Sequence, residues 1–280
     1  MNRVQVFHLL DGSSVAHSIL NSMRNVVSSR SRPPCLGILY SDDPTSKPFK
    51  KSLESASLRV GVRLESVECN FDCTTDRIRS IVSKWNCDDN IDGIICSSSK
   101  FNPEFGSVAK SIISPKKNVE FLNQSISCRA SATFKLLNAS NVSLKDRHVV
   151  YFGLPDIHAE AIFKIFSRDS NKSSFSFVTQ HSECLSDLTR AADILIVGTG
   201  CERSVKPSMI RPETVIIDLG FHGKKRGDVD LFDVMEKISH FGSMDSGVGR
   251  LTSALVLRNL VNAAAENAFY FVREALPKKV

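Results

Sequence analysis

Apolar positions along the first half of the chain switch between two spacings. From Ser13 to Ser29 they recur on one helical face, at Val15, Ile19, Leu20, Met23, Val26 and Val27, and Ser13-Ser14 offer a hydroxyl to cap the first turn. Arg32-Pro33-Pro34 ends that pattern, and Cys35 to Tyr40 is an apolar run of strand length. The spacing then predicts a helix over about residues 46–60, an alternating strand from Arg63 to Cys69, a helix from Thr74 through Trp85, and a strand from Ile91 to Cys96. Strand and helix in turn imply right-handed crossovers and a parallel sheet.

The second half repeats the rhythm. His148 to Phe152 predicts a buried strand running into Gly153, with a helix from about Ala159. Further strands are predicted at Phe175–Val178, Ile194–Val197 and Val215–Asp218, with a helix from Leu185 to Ala192. This is the pattern of a doubly wound nucleotide-binding sheet. An apolar helix from Thr252 to about Glu274 follows, and residues 113–127, with Pro115, read as a hinge. The predicted fold class is therefore two α/β domains around a cleft, the second a Rossmann-like doubly wound parallel sheet. The first covers residues 1–120 and is completed by the returning helix 252–275; the second covers 140–250.

Composition narrows the classes. With 280 residues, 42% hydrophobic and 24% charged, the chain can bury real cores and lies outside the disordered regime. The net charge of +6 permits an anionic partner such as a dinucleotide or RNA and demands none. No apolar run is long enough to span a bilayer. The eight cysteines are scattered, and only Cys69 and Cys73 are close, which is poor zinc spacing; no metal is expected, and the thiols suit a reducing compartment. The first 34 residues contain Arg3, Arg24, Arg30 and Arg32 but a single acid, Asp11, the composition of a mitochondrial import segment. The same stretch builds the first helix, so the expected location is the mitochondrial matrix or the cytoplasm.

A dinucleotide site needs glycines at a strand-to-helix turn, so that the backbone can approach the pyrophosphate with free N–H groups. Here the turn reads Gly153-Leu154-Pro155-Asp156-Ile157-His158-Ala159. Pro155 has no N–H to donate, Asp156 brings a negative charge, and Thr179-Gln180-His181 after the next strand holds neither a carboxylate nor an Arg for the ribose. The loop Gly153, Leu154, Pro155, Ala159 is thus read as degenerate, with Gly198, Gly200, Gly247 and Gly249 lining the cleft.

Three segments, in order, resemble the methylenetetrahydrofolate dehydrogenase/cyclohydrolase family over nearly the whole chain: Asp42-Asp43-Pro44-Thr45-Ser46, Gly227-Asp228-Val229-Asp230 and Gly247-Val248-Gly249-Arg250-Leu251-Thr252. The resemblance implies a folate substrate, NAD or NADP as cofactor, and a homodimer if the chain is free. It also implies that the family's Tyr and catalytic Lys fall on Phe49 and Leu53, its Gln on Ser97, its pterin-binding Asp on Glu120, and its phosphate-contacting Arg-Ser pair on Leu154 and Pro155. Lys50, on roughly the face of Leu53, and Lys100 are the candidate substitutes for the Lys. The expectation is a catalytically degenerate pseudoenzyme with no catalytic residue and no cofactor. Its role would be structural, among protein partners in a larger assembly, with an RNA-containing mitochondrial complex compatible with the basic excess. Two alternatives stand beside it. One is an active NAD(P)-dependent methylenetetrahydrofolate dehydrogenase with a rearranged site, favoured over a cyclohydrolase because the missing Lys matters most to hydrolysis. The other is a sensor that binds folate or nucleotide without turnover.

Overall fold

The computed structural model describes residues 6–41, 43, 46–69, 73–97, 103–122, 126–167, 173–223 and 226–265. In chain order the elements are β1 (His8–Leu9), α1 (Ser13–Ser28), β2 (Cys35–Tyr40), α2 (Ser46–Val60), β3 (Arg63–Glu68), α3 (Thr75–Cys87), β4 (Gly93–Ser97), α4 (Pro103–Ile112), β5 (Phe121–Leu122), β6 (Ile126–Ser127) and α5 (Cys128–Ala139). There follow β7 (His148–Gly153), α6 (Ile157–Ser167), β8 (Ser174–Val178), α7 (Leu185–Arg190), β9 (Ile194–Gly198), β10 (Thr214–Asp218), α8 (Leu231–Val234), β11 (Ile238–Ser243) and α9 (Gly249–Ala264). Among the described residues they form two compact units: residues 15–128 with residues 252–265, and residues 6–14 with residues 129–251.

The unit of residues 15–128 is built on a parallel sheet in the order β3-β2-β4. Central β2 is buried from Cys35 to Leu39, as a parallel strand covered on both faces requires, whereas edge β3 leaves Arg63 and Glu65 towards water. α3 begins where the Thr74 hydroxyl accepts from the Arg77 N–H at 3.3 Å, and its Ile78, Val82 and Trp85 form the buried stripe. Trp85 donates its indole N–H to Glu65 Oε1 at 2.8 Å, which fixes the ring over β2. α9 is apolar on nearly every side, from Ala254 to Val261, and is correspondingly buried. Its one buried amide, Asn259, donates to the Val119 carbonyl at 3.0 Å. The stretch read as a hinge is instead tied down, with β5 and β6 paired antiparallel and Asn118 bridged to Ile94.

The other unit carries an all-parallel sheet in the order β1-β11-β10-β9-β7-β8. β1 pairs with β11 through His8↔His240 and Leu9↔Phe241, so residues 6–14 group here rather than with residues 15–120 as the sequence suggested. Val150, Phe152, Leu195, Val197 and Ile216 from the central strands form the core. From β7 the chain moves outward to β8, then returns past β7 to β9. The direction of winding reverses between β7 and β9, and their carboxyl ends are where such a sheet opens a ligand crevice.

Gly37 faces Trp85 so closely that an added Cβ would lie 2.9 Å from Cε3 of a ring that cannot move. Gly37→Ala is expected to destabilise the protein by about 1–3 kcal/mol through overpacking. Urea unfolding measures it, and a variant as stable as the wild type would exclude this account.

Candidate functional site

The switch point is made of two glycines. Gly153 at the end of β7 is in register with Gly198 at the end of β9. A Cβ on Gly153 would lie 2.4 Å from the Gly198 carbonyl oxygen, and one on Gly198 would lie 2.6 Å from the Tyr151 hydroxyl. Only two bare backbones approach this closely. Tyr151 is buried and stacks on Phe177 with ring centroids 5.6 Å apart. Burial first, and then the Asp156 carboxylate, push its hydroxyl well above the ordinary value; Arg129 opposes them and Asp228 adds to them. Asp156, Arg129 and Asp228 therefore all act on the floor of this crevice. The Arg129 Nε is buried with no hydrogen-bond partner among the described residues.

The turn itself is closed by its own groups. The Leu154 N–H donates to the Gly198 carbonyl at 3.2 Å, and the Asp156 N–H to the Leu154 carbonyl at 3.0 Å. Asp156 Oδ1 accepts from the His158 N–H at 2.9 Å and from the Ala159 N–H at 2.8 Å. The residue that the sequence presents as a misplaced charge is thus the N-cap of α6, occupying donors that a phosphate would use.

Across the crevice, Gly227-Asp228-Val229-Asp230 proves to be scaffold for the loop after β9. Asp228 is fully buried, and its Oδ2 accepts from the Thr199 N–H at 2.6 Å, the Gly200 N–H at 2.8 Å and the Thr199 hydroxyl at 3.0 Å. Its Oδ1 lies 2.7 Å from His222 Nε2. The neighbouring Asp218 accepts from the N–H groups of Gly220, Asp228 and Val229 at 2.8, 3.1 and 3.0 Å. Burial, and then the charge of Asp228, push Asp218 up to about 7 against the pull of those three donors. Gly200 takes the left-handed conformation, φ +70°, that its turn demands. Gly247 packs against Gly12 and Leu136, and Gly249 against Met244.

The unit of residues 15–128 holds the other predicted positions. Asp43, buried after β2, caps α2 by accepting from the Ser46 N–H at 3.0 Å, and it also takes the Ser41 hydroxyl. Ser46 in turn donates to the Ser97 carbonyl at 3.3 Å, which joins the start of α2 to the end of β4. Leu53 is fully buried and Phe49 half-buried. Lys50 Nζ is 2.6 Å from Glu54 Oε1 and lies 4.9 Å from the Tyr40 ring centroid, so its charge is already engaged. Its hydrogen bond to Glu54, more than any other influence, raises its pKa. Glu120 is mostly buried and sits 3.5 Å from Lys110 Nζ on α4, a partner that sequence reasoning missed. A single lysine within the apolar stretch of α4 was the available signal. Lys100 lies outside the described residues, as do Asp42, Pro44 and Thr45. Among the described residues no helix is long and apolar enough to cross a membrane.

Comparison with known proteins bears on both units. The model of the tetrahydrofolate dehydrogenase/cyclohydrolase catalytic domain matches residues 10–120, and that of the same family's NAD(P)-binding domain matches residues 127–268. The bifunctional protein FolD of Agathobacter rectalis is 28% identical over 278 residues, spanning 91% of this chain and 98% of its own. The crystal structure of the bifunctional FolD dehydrogenase/cyclohydrolase from Campylobacter jejuni superposes with a TM-score of 0.78 at 24% identity, covering 94% of this chain and 100% of that one. The Trypanosoma brucei dehydrogenase-cyclohydrolase, complexed with NADP and an inhibitor, gives 0.79 at 21% identity, covering 95% and 99%. At these identities the two structures speak for the fold. The sequence relatives correct the expectation of a pseudoenzyme drawn from Phe49, Leu53, Leu154 and Pro155, because proteins matching 91% of the chain are bifunctional enzymes. The match to an NAD(P)-binding domain likewise corrects the expectation of a chain without a cofactor.

Asp218 holds its proton up to about pH 7 when folded, against 3.8 for an ordinary carboxylate. The folded state binds that proton more tightly, so the group's contribution to stability is full below about 3.8 and is lost as pH rises through 7. Asp218→Asn removes the titration, and it is expected to cost more stability at about pH 5 than at about pH 8 relative to wild type. Urea unfolding of both proteins at the two pH values reads this difference, and an equal or larger penalty at the higher pH would contradict it.

Proposed function

Since this chain belongs to the tetrahydrofolate dehydrogenase/cyclohydrolase family, we propose that it is an NAD(P)-dependent methylenetetrahydrofolate dehydrogenase with little cyclohydrolase activity. The observation that carries the reading is the pair of bare glycine backbones, Gly153 and Gly198, in register at the switch point of a doubly wound sheet. That is where a dinucleotide is received by folds of this kind, and the cofactor's part is to accept a hydride.

The two family reactions differ in what they ask of side chains. In the oxidation, the C–H bond of the methylene carbon breaks and its electron pair leaves with the hydrogen as hydride. A methenyl cation and a reduced dinucleotide remain, and no proton enters or leaves the protein. The step needs orientation, with the reacting atoms about 3–3.5 Å apart, rather than an acid or base. Hydrolysis of the methenyl cation adds water and must move protons, for which a positioned acid–base group matters by about a hundredfold or more. Leu53, buried and apolar, is compatible with the first reaction and supplies nothing to the second. Glu120, paired with Lys110 in a mostly buried setting, is proposed as the carboxylate that holds the folate ring.

Purified protein supplied with methylenetetrahydrofolate and oxidised dinucleotide is expected to form reduced dinucleotide at a rate on the order of 1 per second or more, followed by absorbance. Folded protein that forms none above background would end the proposal. Glu120→Gln should lower kcat/KM for the folate about tenfold or more, the scale of one charged hydrogen bond, and leave dinucleotide binding unchanged. Unchanged kinetics would remove Glu120 from the site.

A further inference from the structure

The dehydrogenase reading leaves open which dinucleotide is used, and this inference rests on that reading. The two common cofactors share nicotinamide, diphosphate and adenine, and differ in a phosphate on the adenosine ribose. In a doubly wound site that ribose lies between the turn after the first strand and the end of the second, where an acid bonds a ribose hydroxyl or an arginine accepts the ribose phosphate. Here those segments are residues 154–156 after β7 and residues 179–183 after β8, and together they contain Asp156 and Glu183 but no Lys or Arg. Leu154, Pro155, Asp156, Gln180, His181 and Glu183 are all exposed, so these side chains are what an incoming ligand meets.

The negative charge at the turn is pinned. Asp156 Oδ1 is held by two backbone N–H groups at 2.9 and 2.8 Å, so swinging it away would uncap α6. A ribose phosphate adds about two negative charges facing this carboxylate, with no fixed cation in either segment to offset them. A ribose hydroxyl is neutral there and can donate to an acid. The diphosphate also meets Asp156, but it does so in both cofactors, and its effect cancels from the comparison.

We propose that the self-capped turn at Asp156, with the cation-free end of β8, makes this chain select NAD over NADP. Titrating NADH and NADPH into the full chain, followed by their fluorescence at low ionic strength, tests it. NADH is expected to bind about tenfold tighter or more, with the gap narrowing as salt is raised. Asp156→Asn keeps a capping oxygen and removes the charge, and should reduce the ratio about threefold or more. His181→Arg should independently strengthen NADPH relative to NADH. NADPH binding as tightly as NADH in the wild type overturns the proposal, and a ratio unchanged in both variants removes these segments as its cause. Failure of both dinucleotides to bind at millimolar concentration overturns the dehydrogenase reading beneath it, a result distinct from a wrong choice of cofactor.

Discussion

A carboxylate with no water around it must be satisfied from every side, and Asp228 is the point on which the switch-point loop depends. Its two oxygens take the Thr199 and Gly200 N–H groups, the Thr199 hydroxyl and His222. The second acid beneath it, Asp218, holds the backbone that presents Asp228. Burying two acids side by side is costly unless their oxygens are met by donors, and burial with the charge of Asp228 pushes Asp218 up to about 7. The glycines follow from this arrangement. A Cβ on Gly220 would sit 2.1 Å from Asp228 Oδ1, and one on Gly227 would sit 1.9 Å from Asp218 Oδ2. The motif therefore reads as a way to fasten a loop through two backbone donors, with the Thr199 hydroxyl adding a third.

The turn after β7 shows the opposite use of the same chemistry. A helix N-terminus offers donors that the fold must satisfy and that an anion could satisfy instead. In this chain Asp156 does so permanently, which stabilises α6 and leaves an incoming diphosphate to compete with an internal carboxylate. On the proposed reading, the cap of the helix and the seat of the diphosphate thus draw on one pair of N–H groups, those of His158 and Ala159. Arg129, with its buried Nε unpartnered among the described residues and its charge acting on Tyr151, is a positive charge on the same crevice floor.

Much of the fold was legible because its strands are parallel and covered on both faces. Cys35–Tyr40, His148–Gly153 and Ile194–Gly198 are near-continuous apolar runs ending in turn residues, and each is a strand within a residue or two of where the pattern puts it. β11 was not read, because Ile238-Ser239-His240-Phe241-Gly242-Ser243 mixes polar residues into a short run. β1 was invisible for a different reason: two residues carry no period, and only pairing with β11 makes them a strand. In the site, the two glycines were found but their partnership was not, since register between β7 and β9 is a tertiary fact. Asp156 was noticed for its charge and not for its place. An aspartate immediately before a helix is a cap before it is anything else, and that local rule was available in the sequence.

The expectation of an inactive protein came from counting absent side chains; relatives that match most of the chain and are bifunctional enzymes overturn it, and the proposed reading supplies a chemical reason. A bifunctional site is two sites in terms of what must move: one reaction transfers a hydride and the other transfers protons. On the correspondence that the resemblance implies, a buried leucine, Leu53, stands where a proton carrier would act, which bears on the second and leaves the first to geometry. The glycine contact between β7 and β9, the Asp228 scaffold and the Asp43 cap of α2 are all groups that hold geometry, and all are present. On the proposed reading, losing an acid–base residue from such a framework separates the two activities before it abolishes both.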